Sequence, residues 1–375
     1  MKICGIIAEF NPLHNGHAGL LRYAKESLGA DGIVVVMSGE HVQRGEPAIA
    51  DKYLRTKAAL MAGADLVLEL PVYAAAAKAT EFAAGAVAAL ANTGIVDFLL
   101  FGSETGDIDE LKKRAEEPSA FIADFSERPG PNDVLAAEYI RAVRKYAPEL
   151  GLATIKRTGP GYNDMEADGS NASAACIRHI LETHGKDAYA YMPDFSKELF
   201  EAYLKTSCFM DISAYSALLN YRLITERNAD LCRYAGIVPD LADKIKKSIP
   251  AFKDYSSFIQ LLKSKDLTYS HISRTLLHIL LDIRSEDCLS FSDTYSYCPY
   301  LRILGIKKEA SGLLHSFGSN ASVPVISRLS DAEKLLDKTA YELLMHELSA
   351  AAIYHMCSER SLPAVSEFSR FLIRM

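Results

Sequence analysis

Short apolar runs alternate with helical patterns through the first half of this 375-residue chain. The runs Lys2–Ala8, Gly32–Met37, Asp65–Leu70 and Ile95–Phe101 read as strands, with Ala153–Lys156 a weaker candidate. Between them Leu20, Leu21, Ala24 and Leu28 recur at helical spacing, and the alanine-rich stretch Ala79–Ala91 has high helix propensity. Such alternation is satisfied by a parallel sheet covered by helices. Right-handed crossovers then gather the C-terminal ends of the strands, with their loops, on one edge. From about Asp187 the strand signals fade and helical ones dominate, as in Lys197–Lys205, Ile272–Ile283 and Asp331–Tyr354. The expected fold is α/β: a parallel-sheet, Rossmann-like domain over residues 1–186, then a mainly α-helical domain over residues 187–375.

The first strand runs into Glu9-Phe10-Asn11-Pro12-Leu13-His14-Asn15-Gly16-His17 and then directly into the helix of Leu20 and Leu21. A helix start offers free backbone N–H groups and a partial positive charge, which suits phosphate. Gly16 permits close backbone approach, and His14 and His17 can donate ring N–H bonds to phosphate oxygens. Together they would stabilise charge that builds up at an α-phosphate under attack. The plainer reading is two surface histidines around a turn glycine; placement directly after the first strand favours the functional one. No GxxxxGK[ST] occurs and no glycine-rich dinucleotide fingerprint follows the first strand, which disfavours P-loop NTPases and Rossmann dehydrogenases.

Bulk properties set outer limits. A hydrophobic content of 49% is enough for a sizeable core. No apolar run reaches the roughly 18 to 20 residues of a membrane span, and no basic-then-apolar leader opens the chain, so a cytoplasmic protein is expected. The 7 cysteines are scattered and never spaced CxxC, which predicts neither a disulfide framework nor a zinc site. Residues 1–190 hold 19 basic and 26 acidic side chains and residues 191–375 hold 22 of each. Bulk charge does not announce a nucleic-acid binder, so any such role must rest on local patches.

Four further segments fall on the expected ligand edge. Ser38–Pro47 is too polar and glycine-rich for core, and its Arg44 is suited to phosphate or RNA as well as to solvent. Gly102-Ser103-Glu104 follows the fourth strand, and Lys156-Arg157 closes the fifth, where one side chain can reach a nucleotide while its neighbour points away. Ser170-Asn171-Ala172-Ser173 precedes the helical segment Ala174–Leu181. Ser173 is a natural N-cap there, and Arg178 one turn in can hold triphosphate oxygens.

These segments carry a resemblance. HxGH is the signature of a nucleotidyltransferase superfamily, and Ser173 to Arg178 partly matches its second signature, ISSTxxR. The chain more closely resembles the bacterial tRNA(Met) cytidine acetate ligases. It does so through Gly5–His17, Met37-Ser38-Gly39 with Val42–Ala48, Phe101–Glu104, Pro131–Leu135, Ile155–Arg157, Gly161-Tyr162 and Ser173–Arg178, and more weakly through Leu276–Leu280 and Tyr300–Gly305. The resemblance implies a nucleotidyltransferase-type first domain that uses ATP to activate acetate, with transfer of the acetyl group to the wobble cytidine of elongator tRNA(Met). It implies catalytic roles for His14 and His17. It also implies an ATP site made by Ile7, Ala8, Glu9, Phe10, Asn11, Pro12, Leu13, His14, Asn15, Gly16, His17, Ala18, Gly19 and Leu20 with Gly102, Asn132 and Arg157, to which helix-start logic adds Ser173 and Arg178. Mg²⁺ is expected to accompany ATP, with no dedicated metal cage. Two departures stand out: Leu13 replaces the usual aromatic, and Glu40-His41 sits inside the SG…VQRG segment.

In the second half Lys244, Lys246, Lys247, Arg274, Arg302, Lys307 and Lys308 are the candidates for tRNA phosphate contacts, against a solvated helix face as the plainer reading. Tyr255, Phe258 and His278 read as core. Two other functions remain open on sequence: a small-molecule adenylyltransferase using the same HxGH loop, and a non-catalytic RNA-binding protein that keeps the fold.

Overall fold

The computed structural model describes residues 1–117, 130–157, 172–265, 267–360 and 364–375. Its strands are β1 (Ile3–Ala8), β2 (Gly32–Ser38), β3 (His41–Val42), β4 (Glu46–Pro47), β5 (Leu66–Leu70), β6 (Phe98–Ser103), β7 (Gly151–Lys156), β8 (Leu301–Ile306), β9 (Val325–Ile326) and β10 (Ile373–Arg374). The main sheet runs β10-β8-β5-β2-β1-β6-β7, with β9 also on β8, while β3 and β4 form a separate antiparallel hairpin. From β5 across to β7 every pairing is parallel. The crossovers carry the helices Asn15–Glu26, Lys52–Ala62, Ala79–Asn92 and Pro131–Tyr146. Every residue of β2 is buried, because its two faces serve two cores. Val34 and Val36 pack with Leu66 and Leu68 on one face, and Ile33, Val35 and Met37 with Val67 on the other.

The second half is mainly helical, but it also supplies β8, β9 and β10 to the same sheet. β8 pairs antiparallel with β5, with Leu66 opposite Ile306, and all six of its residues are buried. A six-residue apolar run such as Leu301–Ile306 cannot be told from a buried helix segment by periodicity. The change of pattern near residue 187 is therefore a change of composition and does not end the sheet. Tyr255 and Phe258 are core as expected, at 0% and 1% exposure. The His278 ring meets the carbonyls of Ala235 and Ala76 at 2.8 and 3.0 Å.

The chain steps outward from β1 to β2 and β5, then returns past β1 to lay down β6 and β7. This reversal of order lies between β1 and β6. Their pairing spans only Cys4–Phe98 and Gly5–Leu99, so beyond those residues the two strands part. A crevice is left outside their C-terminal ends, where open α/β sheets hold ligands.

Candidate active site

The turn after β1 is held from below. Phe10 has a left-handed backbone (φ 47°) and the Asn11–Pro12 peptide is cis. Phe10 is 1% exposed, and the buried Arg55 donates to the Glu9 carbonyl at 2.8 Å and to Ser38 at 3.0 Å. Asn11 Oδ1 accepts the Ile49 N–H at 2.7 Å. These bonds, with burial of the Phe10 ring, offset a backbone cost of about 1–2 kcal/mol for a non-glycine residue in that region.

Helix Asn15–Glu26 then begins with His14 as its N-cap. His14 Nδ1 accepts the Gly16 N–H at 3.1 Å and His17 Nδ1 accepts the His14 N–H at 3.4 Å. The two rings stack with centroids 3.7 Å apart. A ring nitrogen that accepts a bond cannot carry the proton, so neutral His14 holds its proton on Nε2. Burial, reinforced by the Arg157 cation, pulls His14 down to about 3. Burial, then His14 and Arg157, holds His17 well below its ordinary value. Near neutral pH both rings are uncharged.

Above them opens a cleft with an empty volume of about 1150 Å³. Of the residues the sequence pointed to, Ile7, Ala8, Glu9, Phe10, Asn11, His14, His17, Leu20, Gly102, Asn132, Arg157 and Arg178 line it. Pro12, Leu13, Asn15, Gly16, Ala18, Gly19 and Ser173 are not in its wall. Leu13 is 2% exposed and packs in the core beneath the turn, so its difference from the family's aromatic does not reach the cleft. Ser173 caps the helix Ala174–Thr183 by accepting the Cys176 N–H at 3.0 Å. Gly161-Tyr162 and Ser170-Asn171 lie outside the described residues.

Three guanidinium groups reach the cleft from three separate elements: Arg44 from the β3–β4 hairpin, Arg157 from the end of β7 and Arg178 from helix Ala174–Thr183. Arg178 donates to the Asn11 carbonyl at 2.7 Å, which ties that helix to the histidine turn. A Cβ on Gly102 would lie 3.2 Å from Arg157 Cγ, so glycine gives Arg157 room to cross the end of β6. Glu9 also faces the cleft. Burial raises its pKa, against the pull of the Gln43 N–H, which its Oε1 accepts at 2.8 Å, and of the nearby arginines.

The Gly-Ser-Glu and Pro-Asn-Asp segments lock each other. Glu104 accepts Asn132 Nδ2 at 2.6 Å and the Asp133 N–H at 2.7 Å, while Asp133 accepts the Glu104 N–H at 2.8 Å. The Glu104 carboxylate thus caps helix Pro131–Tyr146 and aims Asn132 at the cleft. Burial of Glu104 is outweighed by these bonds, with the Asn132 side chain foremost, and its pKa is lowered.

Several cleft residues carried no usable signal in the sequence. Phe82 and Tyr139, 2% and 5% exposed, form an apolar wall. They sit on the core-facing sides of their helices, where a ligand wall and a hydrophobic core read alike. Val42, Gln43 and Glu46 belong to the loop that Arg44 singled out, and Ala174 and Ala175 to the helix start of Ser173. Glu40 and His41 turn away from the cleft: Glu40 accepts the Lys52 N–H at 3.0 Å and His41 Nε2 lies 2.9 Å from the Tyr215 hydroxyl.

Among the described residues Glu40, His355 and Glu367 form a buried set spaced for a metal. Cations already neutralise it, with Lys52 and Arg302 at 2.9 and 2.8 Å from Glu367 and Arg55 at 3.7 Å from Glu40. It is therefore an internal charge network. Arg302 corrects one expectation. It is 5% exposed, bonded to Glu69 at 2.7 Å as well as to Glu367, and so is closed to RNA. Lys244 donates to the Leu262 carbonyl at 2.7 Å, at the end of helix Tyr255–Leu262. Lys307 and Lys308 follow β8, whose last residue faces the first residue of β5. They therefore lie at the sheet edge opposite the cleft. Lys246 and Lys247 end helix Pro239–Ser248. Only Arg274 of this group borders the active-site region. Among the described residues no helix is long and apolar enough to cross a membrane.

Comparison with known proteins agrees with this fold. The model of the HIGH Nucleotidyl Transferase family matches residues 1–128 and 119–366. A tRNA(Met) cytidine acetate ligase of Thermoanaerobacter sp. (strain X514) is 34% identical over the full length of both chains. One from Listeria welshimeri is 34% identical over 94% of each. The apo crystal structure of Thermotoga maritima TmcAL superposes with a TM-score of 0.90 at 26% identity, covering both chains completely. The form of that enzyme bound with alpha-thio ATP gives 0.89 at 28%, again over both whole chains. The chain belongs to the HIGH nucleotidyl transferase family and, within it, to the tRNA(Met) cytidine acetate ligases.

Proposed function

We propose that this enzyme activates acetate with ATP and transfers the acetyl group to the wobble cytidine of elongator tRNA(Met), forming N4-acetylcytidine. The observation that carries the reading is the stacked pair of neutral histidines facing Arg157, Arg178 and Arg44 across a cleft at the switch point of the sheet. An acetate oxygen attacks the α-phosphorus, the bond to the β-phosphate oxygen breaks, and pyrophosphate leaves. The cytidine N4 then attacks the acyl carbon, the bond to the AMP oxygen breaks, and the amine gives up a proton as AMP departs. Neither step needs an enzyme nucleophile. Positioning and charge stabilisation suffice, and the cleft is supplied with donors for both. His14 and His17 serve the phosphates as catalytic groups, and the apolar wall of Phe82 and Tyr139 suits the base of ATP. Mg²⁺ enters with the nucleotide. Among the described residues the cleft carboxylates are Glu9 and Glu46, and Glu9 is already bonded to Gln43, so the protein would offer such an ion few ligands of its own.

In this reading residues 1–186 bind ATP and residues 187–375 place the RNA. Arg274 is the nearest contact, and Lys246 and Lys247 are candidates farther along the tRNA. With ATP and tRNA as co-substrates, the cytoplasm is the compartment we assign. ATP–pyrophosphate exchange tests the chemistry: exchange is expected with acetate and to be lost when acetate is left out. Exchange that needs a cofactor precursor instead of acetate would assign a small-molecule adenylyltransferase. No exchange with any carboxylate would leave a binding protein.

A further inference from the structure

A second groove adjoins the cleft and shares Gln43, Arg44, Asn132 and Leu135 with it. Its other walls are Ala79, Pro131 and Val134 on one side and the start of helix Tyr269–Leu281 on the other, through Thr268, Tyr269, Ser270 and Arg274. Its empty volume is about 1320 Å³. Arg274 is half-buried here, and among the described residues no carboxylate lies within ion-pair distance of it. One donor is used, NH1 to the Gln43 carbonyl at 3.2 Å, while a guanidinium carries five. Burial pulls its pKa below the ordinary arginine value. A half-buried cation with idle donors at a groove wall calls for an anion. Beside it the half-buried Tyr269 lines the groove close to Glu46 of the cleft wall.

We propose that this groove admits the acceptor nucleotide of a single-stranded RNA loop, with Arg274 on a backbone phosphate and Tyr269 offering its ring face to a base. The inference rests on the function proposed above. It adds the route by which the RNA reaches the adenylate. The shared wall of Gln43, Arg44, Asn132 and Leu135 lets a base threaded along the groove present its exocyclic amine inside the cleft. A phosphate contact with a stacked base is the usual grip on an unpaired nucleotide. The β3–β4 hairpin is firmly seated for this purpose: Ser273 Oγ donates to the Gly45 carbonyl at 2.8 Å. Gly45 has a φ of 78° and no room for a Cβ against the Arg274 backbone.

The test compares wild type, Arg274→Gln and Val134→Trp. Val134 is 39% exposed and lines the groove but not the cleft, so tryptophan there fills the passage without removing a hydrogen bond. It also controls for any disturbance of Gln43 in the first variant. Three quantities are measured: acetate-dependent exchange, anisotropy of a labelled anticodon stem-loop with cytidine at the wobble position, and acetyl transfer to it. Both variants should bind the stem-loop about tenfold or more weakly, as expected for one lost charged contact. Transfer should fall in proportion, and Val134→Trp should keep exchange within about twofold. The salt dependence of binding should flatten by about one unit of slope in Arg274→Gln. Stem-loop binding of wild-type strength in both variants overturns the groove assignment while leaving acetate activation standing. Weakened binding in both, with no acetate-dependent exchange even in wild type, overturns the function and keeps the groove.

Discussion

In the proposed function two imidazoles kept neutral serve a phosphate as hydrogen-bond donors, and that service should not depend on acidification. Because His14 titrates near 3 and His17 well below its ordinary value, the exchange rate should show no histidine titration between pH 5 and 8. An acid limb with a midpoint near 6.5 in the pH–rate profile would overturn that assignment. His14→Asn is the sharper mutation, since the amide oxygen can still cap Gly16 but the Nε2 donor is gone. Exchange should fall by about two to three orders of magnitude, the usual loss for one transition-state donor, with thermal stability nearly unchanged. Arg157→Ala and Arg178→Ala should each weaken ATP binding by about 1.5–3 kcal/mol in calorimetry. Arg178→Ala should also loosen the turn it holds at Asn11. At this scale the cleft lining was readable where residue type marks a candidate, as in His14, His17, Arg157 and Arg178. No such mark singled out Arg55, whose importance lies in four backbone carbonyls that only the fold brings to it: Ala50, Glu9, Ser38 and Gly39.

At the scale of elements, loop motifs that look like ligand contacts are partly the fasteners of the elements that carry those contacts. Glu104 never lines the cleft, yet it caps helix Pro131–Tyr146 and fixes Asn132, which does. Glu104→Ala should cost about 1–2 kcal/mol of stability through the lost cap, and chemical denaturation will read it. It should also raise the Kd for ATP, whereas Asn132→Ala should raise the Kd with little change in stability. The parallel strands and their crossover helices were legible because each buried run is bounded by turn residues and followed by a 3.6-residue period. β8 was not, because its six apolar residues imply burial without saying whether strand or helix is buried. Its partner β5 lies more than two hundred residues earlier in the chain, beyond the reach of any local pattern.

Over the whole molecule, the two halves share one buried charge network. Lys52 and Glu69 from the first half meet Arg302, His355 and Glu367 from the second. Arg302→Ala leaves Lys52 as the one remaining full cation for two buried carboxylates, Glu69 and Glu367, and should cost about 3–5 kcal/mol, lowering every activity through the fold, with no selective loss of RNA transfer. Burial opposes the charge on His355, but hydrogen bonds to Glu367 and Glu40 outweigh it and push its pKa up to about 9. A raised pKa means that this contribution is full below about 6.5, the unfolded value, and is lost as pH rises through 9. The thermal midpoint should therefore drop between pH 7 and 10, and drop less in His355→Gln. The late arrival of β8 also has a consequence at the ribosome. At roughly 5–20 residues per second, β5 emerges roughly 10–50 s before the strand that covers it. Throughout that interval the nascent chain carries an apolar open edge, Leu66–Leu70, next to a Glu69–Lys52 pair that still lacks Arg302 and Glu367. Synthesis in the cell must shield this edge from neighbouring chains, and a message broken before codon 301 would yield an aggregating product in place of half an enzyme.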